Sequence, residues 1–168
     1  TIAIVGPTGS GKTTIVNLLM RFYDVTSGCI KLDGVNIDDI KRKDLRKSFA
    51  MVLQDTWLFE GSVYDNFVYG ANNVTMEAVE RVSKLSKIDT FVNRLENGFD
   101  TILSDGGINI SKGEEQLLTI ARAMLLDAKM LILDEATSNV DTRTEVLIQE
   151  ALKKLLENNS FFFTLHKN

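Results

Sequence analysis

The sequence predicts an α/β fold in which helices flank a mostly parallel sheet, and three observations support this prediction. Continuous apolar runs, typical of strands covered on both faces, occupy residues 2–5, 50–53, 130–133 and 161–165. Apolar residues recur with helical spacing between these runs. A glycine-rich segment follows the first run, where a strand gives way to a helix, and the carboxyl ends of parallel strands are where such sheets bind ligands.

Each predicted helix carries one apolar stripe. One stripe follows the first strand, one precedes the third strand and one precedes the last strand. A fourth stripe lies within residues 61–126. Their members are Ile15, Leu18, Leu19 and Phe22; Leu117, Ile120, Ala121, Met124 and Leu125; Leu147, Ala151, Leu152 and Leu155; and Ala78, Val79, Val82 and Leu85. Residues 61–126 show few strand signals. We therefore predict one domain, with an α/β core of residues 1–60 and 127–168 and an inserted helical subdomain of residues 61–126.

The composition is that of a globular domain with a full hydrophobic core, since 44% of the 168 residues are hydrophobic and 25% are charged. The net charge of −4 argues against a general nucleic-acid binder, which normally has a basic face. No apolar run approaches the ~18 residues that a membrane span needs. Cys29, the single cysteine, fits a reducing compartment. Because both ends read as core strands, we expect a fragment of a longer protein.

Residues 6–13 (GPTGSGKT) match the phosphate-binding pattern G-x-x-x-x-G-K-[ST] between a strand and a helix. Glycines let the backbone wrap so that its N–H groups face an anion, and the helix that starts near Lys12 adds its positive dipole end. Lys12 is expected to neutralise the β- and γ-phosphates, and the Thr13 hydroxyl to bind Mg²⁺. The other expected nucleotide contacts in this segment are Gly6, Thr8, Gly9, Ser10, Gly11 and Thr14. The motif predicts a P-loop NTPase with ATP and Mg²⁺ as its cofactors.

Two carboxylates follow the apolar run at residues 130–133, at the end of the strand where ligands bind. Asp134 is expected to hold Mg²⁺, directly or through water. Glu135 is placed to polarise the attacking water as a general base. In isolation the pair also fits a solvated acidic turn, but beside a phosphate loop the catalytic interpretation is favoured.

Taken in order, several blocks resemble the ATP-binding domain of ABC transporters, and more narrowly of the exporter type, over essentially the whole chain. They are residues 6–13, residues 52–59 (VLQDTWLF), residues 117–123 (LLTIARA), residues 134–141 (DEATSNVD) and His166. The resemblance implies that Gln54 lies in the Q-loop and contacts Mg²⁺ and the attacking water. It also implies that His166 is the switch histidine and that Asp141 lies in the D-loop at a dimer seam. The expected catalytic residues are Lys12, Gln54, Glu135 and His166, and the expected metal ligands are Thr13, Gln54 and Asp134.

Plainer interpretations of three of these residues stay open. Gln54 also fits a polar residue at a strand end, and a lone histidine such as His166 is often structural. An imidazole at the end of a strand can equally donate a hydrogen bond to a γ-phosphate. Leu165 and Lys167, which flank His166, depart from the usual Ala and Arg of the family. Asp141 also fits an N-cap for the helix that follows it, and both roles are compatible.

The family signature L-S-G-G-Q is altered here to residues 110–114 (ISKGE), followed by Glu115. The resemblance implies that Ser111, Gly113 and Glu114, with Asp141, reach the nucleotide of a second copy in trans. Glu114 and Glu115 bring negative charge towards a triphosphate, which opposes the helix dipole. Ser111 and Glu114 also have capping-box spacing, so Glu114 is equally interpreted as a cap residue. We expect slow turnover at the site that this loop completes.

The leading function is ATP hydrolysis that powers transport across a membrane. The alternatives are an ATP-binding dimerisation module with weak or no hydrolysis, a soluble ABC ATPase outside transport, and a small-molecule kinase. The resemblance implies two partners: a second nucleotide-binding domain, in a homo- or heterodimer, and the transmembrane domain of a transporter. It places the domain, itself soluble, at the cytoplasmic face of the cell inner membrane. The resemblance implies an aromatic residue that stacks on adenine, which we expect upstream of Thr1.

Overall fold

The structure is a computed structural model that describes residues 2–7, 9–53, 56–103, 110–126, 128–134, 140–157 and 161–166, without the side chains of residues 2, 3, 134 and 161–166. The strands are β1 (Ile2–Val5), β2 (Lys31–Leu32), β3 (Val35–Asn36), β4 (Phe49–Val52), β5 (Gly61–Ser62), β6 (Ile102–Leu103), β7 (Met130–Asp134) and β8 (Phe161–His166). The helices are α1 (Lys12–Leu19), α2 (Arg42–Lys47), α3 (Val63–Phe67), α4 (Met76–Leu85), α5 (Asp89–Val92), α6 (Lys112–Leu125) and α7 (Thr142–Glu157), and Ile37–Asp39 and Gly98–Asp100 form 3₁₀ turns. Among these helices, none is both long enough and apolar enough to span a membrane.

The central sheet confirms the predicted α/β fold. Within the described residues it has four strands in the order β1-β8-β7-β4, and all adjacent pairs are parallel. The chain enters the sheet at one edge with β1 and crosses to the other edge with β4 before it fills the middle. Two short antiparallel pairs, β2 with β3 and β5 with β6, lie outside this sheet.

Both faces of the sheet are covered, as the continuous apolar runs predict. Side chains alternate along a strand, so Leu131 and Leu133 pack with residues of α6 and α7, while Ile132 between them packs with residues of α1 and α2 on the other face. Leu131 and Ile132 are fully buried. A strand that is buried on both faces cannot carry polar residues until it leaves the core. This explains why Asp134 comes only at the end of the apolar run.

The stripe predicted on α1 is wrong in part. Val16 and Met20 are the buried residues at this helix, whereas Ile15 and Phe22 are exposed. The helix ends at Leu19, and Arg21 has a positive φ of 51°, so Phe22 no longer continues the helical phase. The Phe22 ring instead lies against the guanidinium of Arg46, whose carbon is 4.7 Å from the ring centroid.

The stripes predicted on α6 and α7 are confirmed. Leu117, Ile120 and Ala121 of α6 are buried in the same apolar cluster as Ala151 and Leu155 of α7. These two helices contact each other, and α6 also contacts β4. The N-termini of α6 and α7 are therefore set by the core itself, which matters for the site because Ser111 and Asp141 immediately precede them.

Candidate nucleotide-binding site

The loop that follows β1 has the backbone of an anion cradle. Gly9 and Gly11 have φ angles of 85° and 88°, a region that side chains with a Cβ rarely adopt, and the Ser10 amide donates to the Pro7 carbonyl at 3.1 Å. Gly6 lies close to a side chain of the loop, since a Cβ there would be 2.7 Å from Oγ of Ser10 and would displace that hydroxyl. The motif glycines thus allow a tight turn that leads directly into α1 at Lys12.

Lys12 folds back over this loop. Its Nζ donates to the carbonyl of Gly6 at 2.6 Å and to that of Pro7 at 3.0 Å, and the side chain is partly exposed. The ammonium group is therefore held at the mouth of the loop by oxygen atoms of the loop, and it keeps access to solvent. A polyphosphate that enters the loop meets this charge together with the N-terminal amides of α1, whose first residues have no intrahelical acceptor.

The parallel register brings the other predicted elements to the same edge of the sheet. Val5, the last residue of β1, pairs with His166, and Asp134 at the end of β7 pairs with Leu165. On the far side of β7, Val52 pairs with Leu133, so the chain after β4 starts at this edge as well. The structure thus places the backbones that lead to the phosphate loop, to Asp134 and to His166 next to one another. Thr13 and Thr14 lie in the first turn of α1.

Some predicted site residues cannot be placed in this way. Thr8, Gln54 and Glu135 lie outside the described residues. The backbones of Asp134 and His166 are described but their side chains are not. Their expected roles stay predictions.

The signature segment forms a complete helix cap. Ser111 is the N-cap of α6; its Oγ accepts the Glu114 amide at 3.3 Å, while Oε2 of Glu114 accepts the Ser111 amide at 2.9 Å. This is the capping box that the sequence spacing allows, so the cap interpretation of Glu114 is confirmed. The Ser111 hydroxyl also lies 2.7 Å from Oε2 of Glu114. The serine expected to reach a nucleotide in trans is therefore held in place by Glu114.

The two carboxylates that appear out of place in the signature are both paired with cations. Arg94 forms an ion pair with the other oxygen of Glu114, and Lys112 Nζ lies 2.8 Å from Oε2 of Glu115. Thr56 Oγ1 donates to the same oxygen of Glu115 at 2.8 Å. Each side chain pair thus offsets much of the negative charge that the sequence places at the start of α6.

The start of α7 lies directly against the start of α6. Asp141 caps α7 by accepting the amides of Arg143 and Thr144 at 3.1 Å each, which confirms its predicted capping role. Hydrogen bonds from Thr144, first from its hydroxyl and then from its amide, lower the pKa of Asp141. Gly113 is buried against Thr144 and Val140, so Ser111, Gly113 and Asp141 lie close to one another on one side of the domain.

Arg122 and Arg94 support the signature segment and the start of α6, and the sequence motifs do not indicate either role. Arg122 donates to the Trp57 carbonyl at 2.7 Å and to Oδ1 of the buried Asn66 at 2.7 Å. Arg94, which pairs with Glu114, is separated from it by 20 positions and carries no local signal. The spacing of Lys112 and Glu115, by contrast, is a helical ion-pair pattern and could have been recognised.

Comparison with known proteins decides the family. Residues 1–138 match the sequence profile described as "ABC transporter". The chain belongs to the ABC transporter family. It is 51% identical over 167 residues to a protein of Mycobacterium bovis named "Fatty acid ABC transporter ATP-binding/permease protein", a match that covers 99% of this chain and 26% of the relative. It is 46% identical over 166 residues to an "ATP-dependent lipid A-core flippase" of Desulfotalea psychrophila, which covers 99% of this chain and 29% of the relative.

A solved structure supports the same family at the level of the fold. The chain is similar to a "bacterial Atm1-family ABC exporter with ATP bound", with a TM-score of 0.87 and 35% identity over 99% of this chain and 29% of that chain. This confirms the predicted P-loop NTPase fold and the predicted resemblance to the ATP-binding domain of an ABC exporter. The chain therefore spans between a quarter and a third of the length of the relatives it matches.

Proposed function

We propose that this chain binds ATP with Mg²⁺ at residues 6–14 and hydrolyses it, as the ATP-binding domain of an ABC exporter. The observation that carries the proposal is the phosphate loop itself. Positive-φ glycines allow the tight turn of this loop, and the Lys12 ammonium lies over it. The N-terminus of α1 adds further positive potential beside the same loop. ABC transporter domains bind and generally hydrolyse ATP, which fits this arrangement.

Three of the predicted site residues suit a magnesium nucleotide. A threonine hydroxyl at Thr13, the carboxylate of Asp134 and the amide of Gln54 offer oxygen ligands, which hard cations such as Mg²⁺ prefer. When bound, the ion neutralises charge on the β- and γ-phosphates. Lys12 exchanges its two carbonyl contacts for phosphate oxygens and holds the nucleotide in place. Glu135 takes a proton from the attacking water, and His166 donates a hydrogen bond to the γ-phosphate.

A second nucleotide-binding domain is part of this proposal. Ser111, Glu114 and Asp141 lie around the buried Gly113 at the starts of α6 and α7, and we assign this part of the domain to the nucleotide held by the partner domain. The capping box holds Ser111 in one orientation, with its amide and its hydroxyl both bonded to Glu114. A homodimer and a heterodimer both satisfy this geometry.

The transmembrane domain of the transporter is the second proposed partner. Relatives that the chain matches are named as combined ATP-binding and permease proteins, and the chain covers 26% of one of them. We propose that the domain works at the cytoplasmic face of the cell inner membrane, and that residues 61–126 act as a helical subdomain between the core and that partner. The same relatives favour a transporter over a soluble ABC ATPase outside transport.

Weak hydrolysis is the second candidate, because Glu114 and Glu115 place two carboxylates in the first turn of α6. Their pairing with Arg94 and Lys112 opposes it. Glu114→Gln separates the two candidates, since glutamine keeps the capping box and removes the charge. If the charge limits turnover, this variant hydrolyses ATP faster than the parent. Equal rates exclude Glu114 as the cause.

The proposal is tested by single-turnover hydrolysis of radiolabelled MgATP by the protein in its complete assembly. The parent is expected to form ADP and phosphate, and Glu135→Gln is expected to bind MgATP while its hydrolysis falls at least about a hundredfold, as for loss of a general base. Lys43→Ala, an exposed lysine on α2, is the matched control and should behave as the parent. MgATP binding by the parent without Glu135-dependent hydrolysis would leave only a nucleotide-gated dimerisation module.

A further inference from the structure

The segment that follows Gln54 is attached to one face of α6. Thr56 Oγ1 donates to Oε2 of Glu115 at 2.8 Å, and the Trp57 carbonyl accepts from Nη1 of Arg122 at 2.7 Å. Glu115 and Arg122 are about two helical turns apart, so both side chains project from the same face of the helix. Thr56 and Trp57 are thus each hydrogen-bonded to a side chain of the same helix, α6.

Asn66 extends this attachment to Phe59. The side chain of Asn66 is fully buried, and it bonds the Phe59 backbone in both directions: Oδ1 accepts the Phe59 amide at 3.1 Å and Nδ2 donates to the Phe59 carbonyl at 2.9 Å. The same Oδ1 accepts from Nη2 of Arg122 at 2.7 Å. Hydrogen bonds in such a buried network are stronger than at the surface and are costly to break.

The opposite end of the attachment is Ser111. The Glu115 amide donates to the Ser111 carbonyl at 2.9 Å, which is the first hydrogen bond of α6. Glu115 therefore contacts Thr56 through its side chain and Ser111 through its backbone. The residue that follows Gln54 by two positions and the serine at the cap of α6 are joined through a single glutamate.

We infer that Glu115 and Arg122 are positioning residues, which hold the segment after Gln54 at a fixed place relative to Ser111. The inference rests on the proposed function, in which Gln54 serves the nucleotide of this chain and Ser111 serves that of the partner. Through the attachment, a displacement of α6 moves Thr56 and Ser111 together. The phosphate loop lies on β1 and α1 and takes no part in these bonds. Loosening the attachment should therefore lower kcat and leave KM for ATP unchanged.

Thr56→Val is the appropriate perturbation. Valine has the shape of threonine without its hydroxyl, and the partly exposed Glu115 carboxylate keeps Lys112 as a partner. Thr56→Ser restores the hydroxyl and serves as the rescue variant. Thr119→Val is the matched control, because the Thr119 hydroxyl donates to the Glu115 carbonyl at 3.0 Å within α6 and makes no bond to the segment.

The experiment measures kcat and KM for MgATP, together with hydrogen exchange of the peptide spanning residues 56–60, on the protein in its complete assembly. Thr56→Val is expected to lower kcat about five- to tenfold, as for the loss of an ordinary hydrogen bond, with KM within about twofold of the parent and faster exchange in the peptide. Thr56→Ser should restore kcat and exchange, and Thr119→Val should match the parent.

The inference is overturned if Thr56→Val keeps the parent kcat, if its KM rises while kcat is unchanged, or if Thr119→Val loses as much activity. Lys12→Ala in the same assay separates this failure from failure of the proposed function. A parent whose turnover depends on Lys12 retains that function even when Thr56→Val has no effect. If the turnover of the parent does not depend on Lys12, both the inference and the proposed function are overturned.

Discussion

Gly113→Ala probes the contact between the signature segment and the start of α7. A methyl group at position 113 would lie 2.2 Å from Cγ2 of Thr144 and 3.0 Å from Cγ1 of Val140, whereas carbon atoms in contact are normally ~3.5–4.0 Å apart. Thr144 cannot move aside freely, because its side chain is branched at Cβ and it bonds to Asp141. The helices themselves must therefore separate.

The size of the effect follows from two opposing terms. Overpacking a buried contact costs about 1–3 kcal/mol, while alanine is favoured over glycine in a helix by at most ~1 kcal/mol. We expect Gly113→Ala to lower the free energy of unfolding by about 1–2 kcal/mol, against the helix-propensity trend. Urea unfolding followed by intrinsic fluorescence measures this change.

A double-mutant cycle identifies the cause. Thr144→Ser removes Cγ2 and keeps the hydroxyl and the amide that donate to Asp141. By itself it should have little effect on the free energy of unfolding. In the Thr144→Ser background, Gly113→Ala should cost at least ~1 kcal/mol less than in the parent. An equal loss in both backgrounds, or a Gly113→Ala variant as stable as the parent, would refute the contact between the two helices as the reason for glycine at this position.

Three further predictions concern the supports of the site. Asn66→Ala should lower the free energy of unfolding by about 2–4 kcal/mol, since it leaves Phe59 and Arg122 with unpaired buried groups; a urea midpoint equal to that of the parent would contradict the network. Because the pKa of Asp141 is lowered on folding, its stabilising effect is present above the ordinary pKa of ~3.9 and is lost as the pH falls through the folded pKa, so the stability advantage of the parent over Asp141→Asn should shrink between about pH 5 and pH 2. A pH-independent difference in thermal unfolding would contradict this. Arg94→Ala should change the free energy of unfolding by less than ~1 kcal/mol, because Arg94 is exposed, and a larger loss in urea unfolding would show that the ion pair with Glu114 supports the cap.

The sequence predicts the centre of the sheet well because β7 is buried on both faces. Such a strand must be continuously apolar, so residues 130–133 are recognisable without any tertiary information. The phosphate loop is recognisable for the related reason that its glycines are required by the backbone itself, as at Gly9 and Gly11. Requirements for burial or for a positive φ act on residues that are neighbours in the sequence, so a sequence pattern reveals them.

What the sequence does not reveal depends on contacts between distant positions. The exposed side of α1 was misjudged because the helix ends at Leu19, and the arginine that holds its end, Arg46, comes from a different element. The ion pair that offsets Glu114 uses Arg94, and the attachment of Thr56 uses Glu115. The local spacing of Ser111 with Glu114 and of Lys112 with Glu115 is visible in the sequence, whereas the distant partners Arg94 and Thr56 are not.

The central claim is that the glycine turn and Lys12 hold the terminal phosphates of a nucleotide. Isothermal titration calorimetry of the complete protein with MgATP tests it most directly, with Lys12→Ala compared against the control Lys43→Ala. The account predicts saturable heat for the parent and for Lys43→Ala, and an affinity lowered at least about a hundredfold for Lys12→Ala, since a charge-assisted contact to phosphate is lost. Heat of binding that is the same in all three proteins, or absent from the parent, would contradict the account.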